Sequence, residues 1–234
     1  LPKTAWPPTC QFTVCPPDGG AARRALLSVK AYYQLDDTPV PDGFVFDHDE
    51  NGVAVYRNPN ALPMGFLQTT CTGTHHQRMD SETVPTVMLA AVTLEDDALE
   101  KYGDRMAKLD VYAIPDWRES VARLKENACD SFEIFANGFT AKIDAKDAGM
   151  LVFTLPFDKG FSATVDGQKA EIVNCDVAFM GVFVEAGAHE IVFTYHTRGL
   201  TIGVVMSLLA AGMLIVYCAA AKAMMKKKPS GCKS

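Results

Sequence analysis

Leu200 to Ala221 reads LTIGVVMSLLAAGMLIVYCAAA, 22 residues without a single charge. At about 1.5 Å per helical residue such a stretch is about 33 Å long, enough to cross the hydrocarbon core of a bilayer. A buried helix of a soluble domain rarely runs apolar beyond 12 to 15 residues on every face. The feature therefore predicts a membrane helix near the C-terminus and constrains everything upstream of it.

Lysines set the orientation. Lys222, Lys226, Lys227, Lys228 and Lys233 all follow the span, and short lysine-rich tails stay on the cytoplasmic side. The preceding residues are then expected outside the cytoplasm, in a cell membrane, with the lipid bilayer as the first partner. Without those five lysines, 17 basic residues stand against 28 acidic ones, a net charge of −11 over residues 1–221. A region that acidic repels polyanions, which argues against nucleic acid as a partner. The chain opens on Leu1 and so reads as a fragment or processed product.

Of seven cysteines, Cys218 and Cys232 fall in the span and the tail, leaving Cys10, Cys15, Cys71, Cys129 and Cys175. This is an odd number in a compartment where disulfides persist, and Cys10 and Cys15 are close enough to pair across a small loop. No C-x-x-C spacing suggests structural zinc.

Residues 1–24 hold Pro2, Pro7, Pro8, Pro16, Pro17, Gly19 and Gly20 and read as a linker with little regular structure. Residues 25–129 read as a mixed α/β domain. Val29, Tyr32 and Tyr33 suggest a strand, Phe44–Phe46 and Val53–Tyr56 a hairpin about Asn51-Gly52, and Pro85–Leu94 another β-run before an acidic helix at Glu95–Tyr102. Ala107–Ala113 is a further strand candidate. In Asp116–Ala128, Trp117, Val121, Leu124 and Ala128 fall on one stripe behind an Asp116 N-cap, so a helix is expected there.

From Ser131 the apolar period becomes two. Seven short runs, punctuated by Asn137-Gly138, Asp166-Gly167 and Ala186-Gly187-Ala188, predict a small antiparallel β-sandwich over residues 130–198. The expected fold class is thus α+β, mostly β: a mixed N-terminal part, the sandwich, one membrane helix at 199–223 and a basic tail at 224–234.

Candidate sites are few. Asp47, Asp49, Asn51 and Gly52 reproduce the opening of a calcium loop, but its twelfth position is Asn58 rather than a bidentate Glu and its flanks read as strands, so a hairpin turn is the preferred reading. His75-His76 lacks ligands at metal spacing and reads as a polar loop. No G-x-S-x-G, H-E-x-x-H or P-loop occurs, so no catalytic residue, cofactor or metal is assigned. Phe157, Phe161, Phe179 and Phe183 could stack on sugars, with core packing the favoured reading because Phe lacks a polar handle. Gly199, Gly203, Ser207 and Ala211 recur every four residues, the small-residue row that lets another membrane helix approach.

Four stretches, LLSVKAYY (26–33), NGVAVYRNPNALPMGF (51–66), LPFDKGFSATVDGQKAEI (155–172) and FMGVFVEAGAHEIVFTYHTRGLTIG (179–203), together resemble the C-terminal region of the bacterial membrane protein YfhO family. The resemblance implies a longer polytopic protein with this region as its last extracytoplasmic domain and closing anchor, packed among other helices of the same protein. It also implies a link to glycosyl transfer from polyprenyl-phosphate-linked sugars to a cell-envelope polymer such as lipoteichoic acid. In such enzymes the acidic catalytic residue lies in an early extracytoplasmic loop, so none is carried over to this chain, whose expected role is to support the transfer. Phe157, Asp158, Lys159, Gly160 and Phe161 match a family motif and read as a turn whose rings pack inward. The proline-rich start, with Cys10 and Cys15, departs from the family pattern. The alternative is a membrane-anchored module whose sandwich binds a glycan, a lipid-linked sugar or a protein with no enzymatic role.

Overall fold

The computed structural model describes residues 20–35, 37–74, 83–110 and 112–226, with side chains to residue 222. It is mixed α/β with several antiparallel sheets and one long C-terminal helix. The chain divides into two compact units, one ending at Thr194 and the other starting at Tyr195.

The first unit is built around a sheet buried on both faces. Its strands are β4 (Phe66–Gln68), β10 (Gly149–Pro156), β13 (Val173–Cys175) and β14 (Phe179–Val184), in the order β13-β14-β10-β4. Along β10, Leu151 and Phe153 enter one core, whereas Met150 and Val152 enter the other. Successive side chains of a strand point to opposite faces, and here both faces are covered, so the segment is apolar without alternation.

On one side lies the second sheet of the sandwich, in the order β12-β11-β15-β9-β8. Its strands are β8 (Ser131–Phe135), β9 (Gly138–Ala145), β11 (Phe161–Val165), β12 (Gln168–Ala170) and β15 (Gly187–Tyr195). In β9, Phe139, Ala141, Ile143 and Ala145 point inward and their neighbours outward. Phe139 stacks on Phe193 with centroids 4.6 Å apart, and Phe153 meets Phe193 edge-on at 5.1 Å. Aromatic pairs in these geometries contribute about 0.5–1.5 kcal/mol beyond the area they bury.

Residues 131–195 thus supply eight strands rather than seven. The QKAEIVN run divides: Gln168–Ala170 pairs with β11 in the outer sheet, and Val173–Cys175 pairs with β14 in the inner one. The sandwich also recruits β4, which pairs antiparallel with β10 at Met150↔Gln68.

The other face of the shared sheet is covered by α1 (Ala21–Leu26), α2 (Thr83–Ala90), α3 (Asp96–Tyr102) and α4 (Trp117–Glu126), together with three short parallel strands. These strands, β5 (Thr70–Thr72), β6 (Val92–Thr93) and β7 (Ala107–Lys108), are ordered β6-β5-β7. The Asp116 carboxylate accepts the Arg118 backbone N–H at 2.8 Å, and α4 buries Ser120, Val121 and Leu124. Fully burying an aliphatic side chain contributes about 1.5–3 kcal/mol, so its apolar stripe holds this helix in place.

Three elements differ from the sequence reading. Pro85–Leu94 is mostly the helix α2, which buries Pro85, Val87, Met88, Leu89 and Ala90. A helix wrapped by protein on most sides loses its polar face, and the apolar run then resembles a buried strand. Ala21–Leu26 forms α1, and only Ala31–Gln34 of the following segment is a strand, β1. The Ala107–Ala113 strand is reduced to β7.

A small outer sheet, β1-β3-β2, holds the expected hairpin of β2 (Val45–Glu50) and β3 (Val53–Arg57). Its turn, Asn51-Gly52, has both φ angles positive, as does Asp166-Gly167 between β11 and β12, the left-handed pair that two-residue hairpins require. Asn137-Gly138 works differently: Gly138 is already paired with Phe135, and a Cβ there would lie 1.9 Å from the Phe193 carbonyl oxygen. Glycine is needed there for close approach of backbone.

The second unit contains α5 (Leu200–Lys226), whose stretch Leu200–Lys222 has a mean hydropathy of 2.3 and buries none of its surface. A helix that apolar and that exposed requires lipid or other helices around it.

Candidate functional site

Asp47 and Asp49 lie on β2, and the hairpin register slips between Phe46 and His48, making Asp47 the extra residue of a bulge. The Asp47 carboxylate receives Arg57 Nε at 2.8 Å and His48 Nδ1 at 2.6 Å. These partners hold its pKa below the usual carboxylate value. The Asp47 carboxylate is thus engaged by Arg57 and His48, and Asn51 belongs to the turn. Among the described residues no three His, Cys, Asp or Glu side chains gather into a group that could hold a metal. His75, His76, Cys10 and Cys15 lie outside the described residues.

Phe157 and Phe161 are half-buried against the sandwich core. The turn between them is fixed by Asp158, whose side chain accepts from Gly160 N and whose carbonyl accepts from Phe161 N at 3.1 Å. Phe161 meets Phe193 edge-on with centroids 6.3 Å apart. Phe179 and Phe183 pack on the opposite core. The four rings therefore do not form one platform.

Cys71, Cys129 and Cys175 are free thiols. Burial pushes Cys129 up to about 12 and raises Cys71 and Cys175 as well. Thiols kept protonated in this way are poor nucleophiles and poor metal ligands. His189 is engaged at both ring nitrogens: Nδ1 contacts Asp166 at 2.7 Å and Nε2 lies 3.2 Å from the Glu185 carbonyl oxygen.

In the second unit, Gly199 precedes α5 with φ +80, while Gly203, Ser207 and Ala211 are exposed along it. Ser207 Oγ donates back to the Gly203 carbonyl at 2.8 Å. That bond satisfies the hydroxyl in an apolar environment and leaves the row smooth.

Several polar contacts join segments too distant in sequence for spacing to reveal. Tyr102 stacks on Phe183 with centroids 5.0 Å apart and donates to Glu171 at 2.9 Å, while Lys101 pairs with the same carboxylate at 2.5 Å. Arg105 lies over the Phe183 ring at 4.2 Å and pairs with Glu185. Lys101, with Tyr102, lowers the Glu171 pKa, and burial raises that of Tyr102. Arg123 on α4 closes the C-terminus of α2, with Nη2 2.8 Å from Ala90 O and 3.3 Å from Leu89 O. Asp176 is 2 % exposed; it accepts from Thr93 N at 2.8 Å through Oδ1, and its Oδ2 has no partner. Burial pushes its pKa up to about 7. These groups clamp the helical layer to the sandwich.

Residues 105–207 match the model of the family described as bacterial membrane protein YfhO. That stretch is similar to the YfhO family. The match starts before α4, contains the eight sandwich strands from β8 to β15 and runs into α5. Of the four quoted stretches, 155–172 and 179–203 lie inside it, and 26–33 and 51–66 precede it. No curated protein and no solved structure matches the chain. Similarity to a membrane-protein family, together with an exposed apolar helix long enough to cross a bilayer, supports a membrane location.

Proposed function

We propose that this chain is the C-terminal extracytoplasmic portion and final span of a YfhO-like multi-pass protein, supporting glycosyl transfer from a polyprenyl-phosphate-linked sugar to a cell-envelope polymer without carrying the chemistry. The observation that supports it is the family match running without a break from the sandwich into α5. A region joined in sequence to a membrane helix stays tethered to the membrane, which is also where a lipid-linked donor resides. The lysines after Ala221 favour a cytoplasmic tail and residues 1–198 outside. The small-residue row Gly199, Gly203, Ser207 and Ala211 suits packing against other helices of the parent protein.

Four carboxylates that the fold engages or buries fit a non-catalytic role for this portion. Asp47, Asp166 and Glu171 are each engaged by a cation or histidine, and Asp176 is sealed from solvent. Deleting residues 25–198 from the full protein in cells tests the reading. The expected result is loss of sugar decoration on the envelope polymer with the protein still in the membrane. Decoration at the undeleted level would show that the region supports no transfer.

A further inference from the structure

The two ends of the sandwich differ in chemistry. At one end the turns carry exposed charge: Lys146 and Asp147 between β9 and β10, Asp166 between β11 and β12, and Glu185 between β14 and β15. No large apolar side chain is exposed at that end among the described residues. The other end is where β15 finishes. There Thr194 pairs with Gly138, which also pairs with Phe135 of β8, and Ser162 Oγ at the start of β11 donates to the Thr194 carbonyl at 3.3 Å. Pro156 of β10 pairs with Phe179 of β14, and Phe157 N donates to Ala178 O at 2.6 Å. The β8–β9 turn and the turns at 157–160 and 176–178 therefore share one end with the close of β15.

At this end Ile134 is 80 % exposed, Val177 56 % and Phe135 39 %, and Phe157 and Phe161 are half-buried. Ile134 and Phe135 lie on the edge strand β8, whereas Val177 joins β13 to β14 on the other side of the inner sheet. The apolar groups thus span the width of the sandwich. Val177 holds φ +76, a conformation that a β-branched residue avoids, so its outward placement is kept against local preference. Lys159 is exposed in the same set of turns, and the neighbouring Asp158 carboxylate is spent on Gly160 N. Exposed apolar groups gathered in this way mark an interaction surface.

Chain length says what covers it. Only residues 196–199 separate β15 from α5, and the steps from Tyr195 to Leu200 extend at most about 18 Å. With α5 in a bilayer, this end is held within that reach of lipid, whatever direction the helix takes. The linking residues include Arg198, which with Lys159 supplies the positive charge that anionic headgroups attract.

We propose that this end of the sandwich rests in the lipid interface of the bilayer that α5 crosses, with Ile134, Phe135 and Val177 among the headgroups and upper acyl chains and Lys159 beside lipid phosphate. The proposal rests on α5 being a membrane span and is independent of glycosyl transfer.

Methyl NMR of the full chain in phosphatidylcholine–phosphatidylglycerol nanodiscs tests it, with and without phosphatidylcholine spin-labelled near the top of its acyl chain. Interfacial side chains sit about 5–10 Å into the headgroup boundary, so the Ile134 and Val177 methyl signals are expected to weaken by about twofold or more. Val184, buried near the charged end, keeps its intensity, and Leu209 of α5 weakens and reports the span separately. Unchanged Ile134 and Val177 beside a weakened Leu209 would overturn the proposal and leave the span standing; an unchanged Leu209 would remove the span and the proposal with it. Ile134 shielded from a soluble gadolinium chelate yet untouched by the lipid label would show that a protein surface covers this end instead. Equal weakening of Ile134 and Val184 would show that neither end prefers lipid, which also overturns it.

Discussion

Replacing Asp176 by Asn should remove a pH dependence of stability built into the joint between the sandwich and the parallel strands. Asp176 follows β13, is fully buried, and takes its bond from Thr93 of β6. Burial raises its pKa from 3.8 to about 7, about three units, and at about 1.4 kcal/mol per unit the ceiling on the effect is ~4 kcal/mol. The folded protein binds the proton more tightly than the unfolded one. Stability from this group is therefore fully present below pH 3.8, falls as pH rises toward 7, and is flat above. Asn keeps an acceptor for Thr93 N and never ionises. The variant should match the parent near pH 4 and exceed it progressively to pH 7, by at most ~8–16 °C in Tm at about 2–4 °C per kcal/mol for a chain of this size. Thermal melts of both proteins from pH 4 to 8 in one detergent measure the difference directly. A constant offset across that range would show that Asp176 ionises normally, and the argument from burial would fail.

Gly138→Ala should cost ~3 kcal/mol or more in urea unfolding, because its Cβ would sit 1.9 Å from a backbone oxygen that cannot move without breaking the β9–β15 ladder. Val177, exposed with φ +76, is a branched residue in the left-handed region; Val177→Asn should gain ~0.5–1 kcal/mol by the same measurement, and a loss would mean its side chain is packed. Leu209→Arg, near the middle of α5, should reduce the membrane-integrated fraction after alkaline extraction by a factor corresponding to about 2.5–3.5 kcal/mol, whereas a soluble helix would show no such loss.

The parts of the fold legible in the sequence are those set by local chemistry. The Trp117, Val121, Leu124 stripe with its Asp116 cap, the turns Asn51-Gly52 and Asp166-Gly167, the period of two in β9, and the uncharged Leu200–Ala221 each need only a few neighbouring residues to be read. Elements defined by partners distant in sequence were not legible. Val92–Thr93 and Ala107–Lys108 are too short to show a period, and they are strands because β5 lies between them. QKAEIVN reads as one short run although the chain changes sheets at Glu171 and Ile172, where the adjacent apolar pair Ile172-Val173 breaks its alternation. The same limit applies to sites. The pairing of Asp47 with Arg57, ten residues away, could not be read from the alternation of acidic residues that begins there.

The central claim is that α5 crosses the membrane with residues 1–198 outside and the lysine tail inside. Two single-cysteine versions of the protein test it in intact cells with a membrane-impermeant maleimide: one keeps only Cys232, and the other carries only Lys146→Cys, on the surface between β9 and β10. The prediction is that position 146 labels in intact cells and Cys232 labels only after permeabilisation. Labelling of Cys232 in intact cells, or protection of position 146, would contradict it.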